Sequence, residues 1–237
     1  MERYKQALQA MLLLLGRTGV DGWAKWIMED IQLAEEKKVD HHLRAYGGMG
    51  SLNDVIICAI NGHKVTEEQE PWVNQLFQNL QCLCYILATE SDNVVYAKII
   101  EKAFRKEIVE IQGWRCLDCG FGKVTKTNIE NFIAPKVLKS IMIRAINNNS
   151  LLECVEDVIN LNIPEREKEY LEAKELVVRS GITVEEINTE WMRPCPNCHN
   201  NNTAVYRWKV IKGLIGKSRL IVAESNLSMN KKEKKKY

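Results

Sequence analysis

Along the first ninety residues the apolar positions recur at three- and four-residue intervals, the spacing that gives a helix one buried face. The pattern predicts a helix over residues 3–16 and a second over 21–36. In the second, Trp23, Trp26, Ile27, Asp30 and Ala34 fall on helical spacing, and all but Asp30 are apolar. Asp21 is a suitable N-cap. The two tryptophans read as core anchors rather than as an exposed binding surface. Leu52, Val55, Ile56, Ala59 and Ile60 supply another helical face, preceded by Ser51 and Asp54 in capping-box register. Asn61-Gly62 is a turn signal. Pro71 then opens a helix with a broad apolar face of Val73, Leu76, Phe77, Leu80, Leu83, Cys84 and Leu87. Together these predict an N-terminal helical bundle over residues 1–91. A helix over 92–106, capped by Asp92, connects it to the second half.

From Glu107 the period shortens to two. Residues 107–114 read as a strand and 121–126 as its return. Residues 203–212 alternate again, with Val205, Arg207 and Lys209 on one side and Tyr206, Trp208 and Val210 on the other. Residues 219–223 would pair with them across 213–216. Between the strand pairs the helical period returns. Ser150-Leu151-Leu152-Glu153 forms a capping box before Val155, Val158 and Ile159. Pro164 starts the next helix, Gly181 ends it, and Thr183-Val184-Glu185-Glu186 caps a last short one.

The strands meet the chain's most specific chemistry. Cys116-Leu117-Asp118-Cys119 follows the first strand, and Cys195-Pro196-Asn197-Cys198 precedes the third. Each Cys-x-x-Cys knuckle puts two sulfurs on one side of a tight turn. Four thiolates complete a tetrahedral structural zinc (Zn2+) with no open position. Gly120, Pro194, Pro196 and Asn197 suit such turns. A redox dithiol usually sits in a βαβ pattern, which is missing here, and disulfides need an oxidising compartment. Strands flanking knuckles are the plan of a zinc ribbon, in which the metal replaces a core that so few strands cannot build. The expected fold is therefore mainly α (α+β). The bundle is followed by a small zinc ribbon over 92–228, which carries a helical insert over 120–194, and by a disordered basic tail over 229–237. Cys58, Cys82, Cys84 and Cys154 lie in helix-like stretches and read as core. His199, next to Cys198, is read as a bystander rather than a ligand.

Charge adds a direction. The net charge of +2 conceals an uneven distribution, for residues 200–237 hold ten Lys or Arg against Glu224 and Glu233. Arg207 and Lys209 interleave with Tyr206 and Trp208, which suits stacking plus charge on single-stranded nucleic acid. An acidic protein surface would be drawn by the same residues. The run Met11–Leu15 is too short to span a bilayer, so no membrane is expected. Eight cysteines without a leader sequence point to a reducing cytoplasm.

Little suggests catalysis. The loop Gly47-Gly48-Met49-Gly50-Ser51-Leu52-Asn53-Asp54 opens a predicted helix and offers a possible ligand loop through Gly47, Gly48, Gly50, Ser51 and Asp54. It lacks the Lys-Ser/Thr of a P-loop and has no preceding strand, so the plainer reading is a tight corner. No His-Glu-x-x-His, Ser/His/Asp order or convincing carboxylate pair appears. The enzyme candidates are His41, His42, Asp54 and His63, and no enzyme is expected. The stretch from Trp23 to about Leu87, centred on Gly-Gly-Met-Gly-Ser-Leu-Asn-Asp, resembles a family of short helical bacterial domains of unknown function. That resemblance implies a bacterial origin and an all-helical domain, and no activity. The expected function is a non-catalytic zinc-binding module for nucleic acid or protein. The alternative is an accessory, immunity or antitoxin component acting by protein contact alone.

Overall fold

The computed structural model describes residues 1–89, 110–186, 194–212 and 218–222. The connector helix expected over 92–106 and the tail at 229–237 lie outside the described residues. The fold is mainly α with a small sheet. It separates into two compact units, Met1–Glu107 with Ala134–Arg166, and Ile108–Ile133 with Glu167–Tyr237.

In the first unit, α1 (Glu2–Thr18), α2 (Asp21–Glu35) and α4 (Glu70–Thr89) match the expected helices within about two residues. Short α3 (Asp40–Arg44) lies between the second and the last of these. Asp21 is the first helical residue of α2 rather than its cap. The core holds Tyr4, Leu8, Met11, Leu14 and Leu15 from α1, Ile27 from α2, and Trp72, Leu76, Phe77 and Leu80 from α4. Burying each such side chain contributes about 1.5–3 kcal/mol. Trp23 and Trp26 are only half-buried.

Residues 52–60 are not a helix. A one-turn 3-10 segment (Leu52–Asp54) carries the predicted capping box, and a second spans Ala59–Asn61. Between them the backbone is extended, and Asn74 on α4 holds it there. The Ile57 N–H donates to Asn74 Oδ1 at 2.8 Å, and Asn74 Nδ2 donates to the Ile57 carbonyl at 2.7 Å. Glu70 accepts the Ala59 N–H at 2.8 Å. Ile57 is fully buried, whereas Ile56 and Ile60 are 64% and 93% exposed. Apolar spacing thus mimicked a helical face that tertiary hydrogen bonds override.

The helical insert is divided, where the sequence suggested one subdomain hung from the ribbon. Helix α5 (Lys126–Asn147) contains Pro135, and the division of the chain falls beside it, between Ile133 and Ala134. The next helix, α6 (Leu151–Ile159), belongs to the first unit because its buried stripe of Leu151, Cys154, Val155 and Val158 packs on α1 and α4. Arg17 pairs with Glu156 at 2.7 Å, and Gln69 Nε2 donates to the Ile159 carbonyl at 2.6 Å. Arg166 reaches Glu68 at 2.6 Å and lies over the Trp72 ring. Ser150 precedes α6 without making a side-chain cap bond.

The second unit holds a five-stranded sheet in the order β3-β2-β1-β4-β5. Its strands are β1 (Glu110–Cys116), β2 (Gly122–Thr125), β3 (Thr183–Glu185), β4 (Thr203–Lys212) and β5 (Ser218–Val222). All pairings are antiparallel except β2 with β3. Strand β3 corrects the short helix expected from residue 183. It follows α7 (Arg166–Arg179), and Thr183, Val184 and Glu185 pair with Lys123, Val124 and Thr125. One face of the sheet is buried around Ile111, Tyr206 and Trp208. Gly113 and Gly122 leave room for that indole. A Cβ at Gly113 would stand 2.7 Å from Trp208 and 2.5 Å from the Lys123 carbonyl. The opposite face carries Trp114 and Cys116.

Candidate metal centre

The register of the sheet assembles the cysteines. Strands β1 and β4 run antiparallel with Cys116 opposite Thr203, so the end of β1 meets the start of β4, just after the second knuckle. Both knuckles close with the same hydrogen bonds. The Cys116 carbonyl accepts from Gly120 N at 3.0 Å and its N–H donates to Phe121 O at 2.8 Å; Cys195 repeats this with His199 N at 2.8 Å and Asn200 O at 2.9 Å. The residue after the second cysteine is left-handed in each, Gly120 at φ 77° and His199 at φ 60°.

The four Sγ atoms of Cys116, Cys119, Cys195 and Cys198 lie within 4.8 Å of one another. Cys116 and Cys198 are 3.6 Å apart, and Cys119 and Cys195 are 3.7 Å apart. An ion bound tetrahedrally by sulfur at about 2.3 Å sets its ligands about 3.8 Å from each other. All four cysteines are free thiols, so the cluster could hold a metal ion. Trp114, Cys116 and Cys195 form a small buried core with Phe121 and Cys198 against it. Cys119 stays exposed. A hydrogen bond with the Asn197 side chain, then one from the Phe121 N–H, holds the Cys119 thiol down at about 6. The Asn200 N–H pulls Cys198 down too, but desolvation and the other three thiols outweigh it and leave it at about 12. Sulfurs this close cannot all carry charge unless a cation sits among them.

The remaining candidates separate. His199 occupies the left-handed corner and is not in the cluster. Tyr206 and Trp208, offered by the sequence as a stacking platform, are 8% and 4% exposed on the covered face. Arg207 and Lys209 stand on the other face, each near Glu110 at 4.0 and 3.7 Å. Of the other cysteines Cys58, Cys84 and Cys154 are buried as expected, but Cys82 is exposed, and Cys58 caps a 3-10 turn rather than lying within a helix. Burial raises the Cys154 thiol to about 12.

The four enzyme candidates do not share one set of partners. Asp54 accepts from Ser51 N at 3.0 Å and from its hydroxyl at 3.3 Å, so those polar members of the glycine loop serve its own capping box. His63 Nδ1 accepts from Cys58 N at 3.1 Å. His41 and His42 turn instead to Asp30, whose two buried oxygens take their Nδ1 atoms at 2.6 and 2.7 Å. Adjacent histidines reach one carboxylate because each takes a different oxygen. His42 Nε2 meets the Tyr46 hydroxyl at 2.9 Å, and His41 stacks on Trp26 with centroids 4.1 Å apart. The signal for this network was the lone carboxylate, Asp30, in the apolar stripe of α2.

Residues 17–66 match the family model "Domain of unknown function (DUF6966)". The DUF6966 match contains Asp30, His41, His42, Tyr46 and the glycine loop. It agrees with the resemblance to an uncharacterised family and contains none of the four clustered cysteines. No curated protein and no solved structure matches the chain.

Proposed function

We propose that Cys116, Cys119, Cys195 and Cys198 hold a structural zinc ion and that the sheet unit it fastens is a non-catalytic binding module. The observation that carries this is the set of four sulfurs within 4.8 Å of one another, two of whose separations, 3.6 and 3.7 Å, match the edge of one tetrahedron. All four positions are filled by protein, so the ion would contribute folding energy and has no site for substrate. It would join segments 75 residues apart, and binding energy at such a site is folding energy. Among the described residues no helix is long and apolar enough to cross a membrane, and free thiols suit a reducing cytoplasm.

The contact face is the side of the sheet bearing Gln112, Val205, Arg207 and Lys209, all exposed. With the aromatic rings covered, charge rather than stacking supports a polyanionic partner, nucleic acid or an acidic protein surface. A second reading, contact with an uncharged protein surface in an accessory role, draws on Ile56 and Ile60, held out on a loop that α4 pins in place.

Metal analysis of the purified chain is the primary test. One zinc per chain is expected, and a chain carrying none, or only paired disulfides, would overturn the proposal. Binding to a labelled single-stranded oligonucleotide across a salt series decides the partner. Affinity that falls steeply with salt supports the polyanion reading, and no binding removes it.

A further inference from the structure

We infer that Asn202 is the positioning residue of the metal centre, clipping the first knuckle shut from its place just before β4. This rests on the metal reading above. The two residues between the ligands of that knuckle are Leu117 and Asp118, and both take a partner from Asn202. Leu117 N–H donates to the Asn202 carbonyl at 2.8 Å. Asn202 Nδ2 donates to Asp118 Oδ1 at 2.7 Å. The backbone bond carries the β1–β4 register one step beyond Cys116 and Thr203. The side-chain bond then fixes the top of the turn. With Asn197 on the Cys119 thiol, every residue of the knuckle after Cys116 is held from the other half of the site.

The two knuckles therefore reach their rigidity differently. The second has Pro194 and Pro196 to restrict its backbone. The first has no proline and ends in exposed Cys119, the ligand with most freedom to leave an ion. Asn202 supplies what proline supplies elsewhere. Groups that orient metal ligands typically change affinity by roughly 10–100-fold when lost.

The test is cobalt titration of the metal-stripped full chain, read by the visible bands of tetrahedral cobalt thiolate and by competition with a chelator. Wild type, Asn202→Ala, Asn202→Asp and the double swap Asn202→Asp with Asp118→Asn are compared. Asn202→Ala is expected to weaken binding by roughly tenfold, the lower end for such groups. Asn202→Asp should weaken it further, because two carboxylates then face each other. The double swap restores an amide against a carboxylate and should return affinity to within a few-fold of wild type. A wild-type chain without the tetrahedral bands would instead remove the metal reading itself. Wild-type binding with an unaffected Asn202→Ala would overturn the role of Asn202 alone. So would failure of the double swap to recover what Asn202→Asp loses, and that comparison holds even if Asn202→Ala proves poorly folded.

Discussion

Gly120 and His199 occupy equivalent corners of two turns, and only one is the residue that such a corner favours. A non-glycine residue in the left-handed region costs about 1–2 kcal/mol. Space is not the issue at Gly120, where an added Cβ would meet only the Arg115 guanidinium at 3.5 Å, an ordinary contact. The expected result is asymmetric. Gly120→Ala should destabilise the metal-loaded unit by about 1 kcal/mol, and His199→Gly should leave it unchanged or raise it by up to about 1 kcal/mol. Denaturant midpoints of the two variants check this. A large loss of metal affinity in His199→Gly would instead mean that the imidazole is a ligand. The cysteine spacing was legible in the chain because ligand geometry is local to each knuckle. The supporting asparagines were not. Asn197 and Asn202 look like ordinary turn residues until the register of β1 and β4 sets them against the other knuckle.

At the scale of elements, periodicity read the long helices and the strands well, because each buries one face and shows the period of that burial. It failed where a single polar side chain from elsewhere decides the backbone. Residues 52–60 have helical spacing, yet Asn74 satisfies both backbone groups of buried Ile57 and keeps the segment extended. Residues 183–186 have a cap-like sequence, but they follow α7 directly and lie beside the open edge of β2. Neither outcome is written in the residues of the segment itself. Asn74→Ala should strand the Ile57 N–H and carbonyl, at about 1–3 kcal/mol for each group left unsatisfied. Thermal unfolding should show a loss at the upper end of single-residue effects. Asn74→Asp keeps the acceptor but sets a carboxylate oxygen against the Ile57 and Glu70 carbonyls, so it should cost at least as much as the alanine. If both variants unfold like wild type, the extended loop is held by something other than this amide.

For the molecule as a whole, the two units differ in what makes each stable. The first packs helices around Trp72, Phe77, Tyr4 and Leu8, all essentially unexposed, and the cysteine cluster lies outside it. In the second, the cluster at the metal face is Trp114, Cys116 and Cys195, with Phe121 and Cys198 only partly covered. Two of its five members are half-open, and three are ligands. On the proposed metal reading, a core of that size would leave the meeting of β1 and β4 dependent on the ion, since removing it would leave four crowded sulfurs that repel one another once ionised. Chelation should therefore act unevenly. Amide hydrogen exchange in β1 and in the first half of β4 is expected to rise sharply when the metal is stripped at neutral pH, whereas α1, α2 and α4 keep their protection. Adding zinc back should restore the slow exchange, because binding only the folded form shifts the equilibrium by mass action. Equal loss of protection in α1 and β1 would show that the helices lean on the ion as well. Unchanged exchange in β1 and β4 would show that the sheet stands without it, and that the thiolates serve some purpose other than holding the fold.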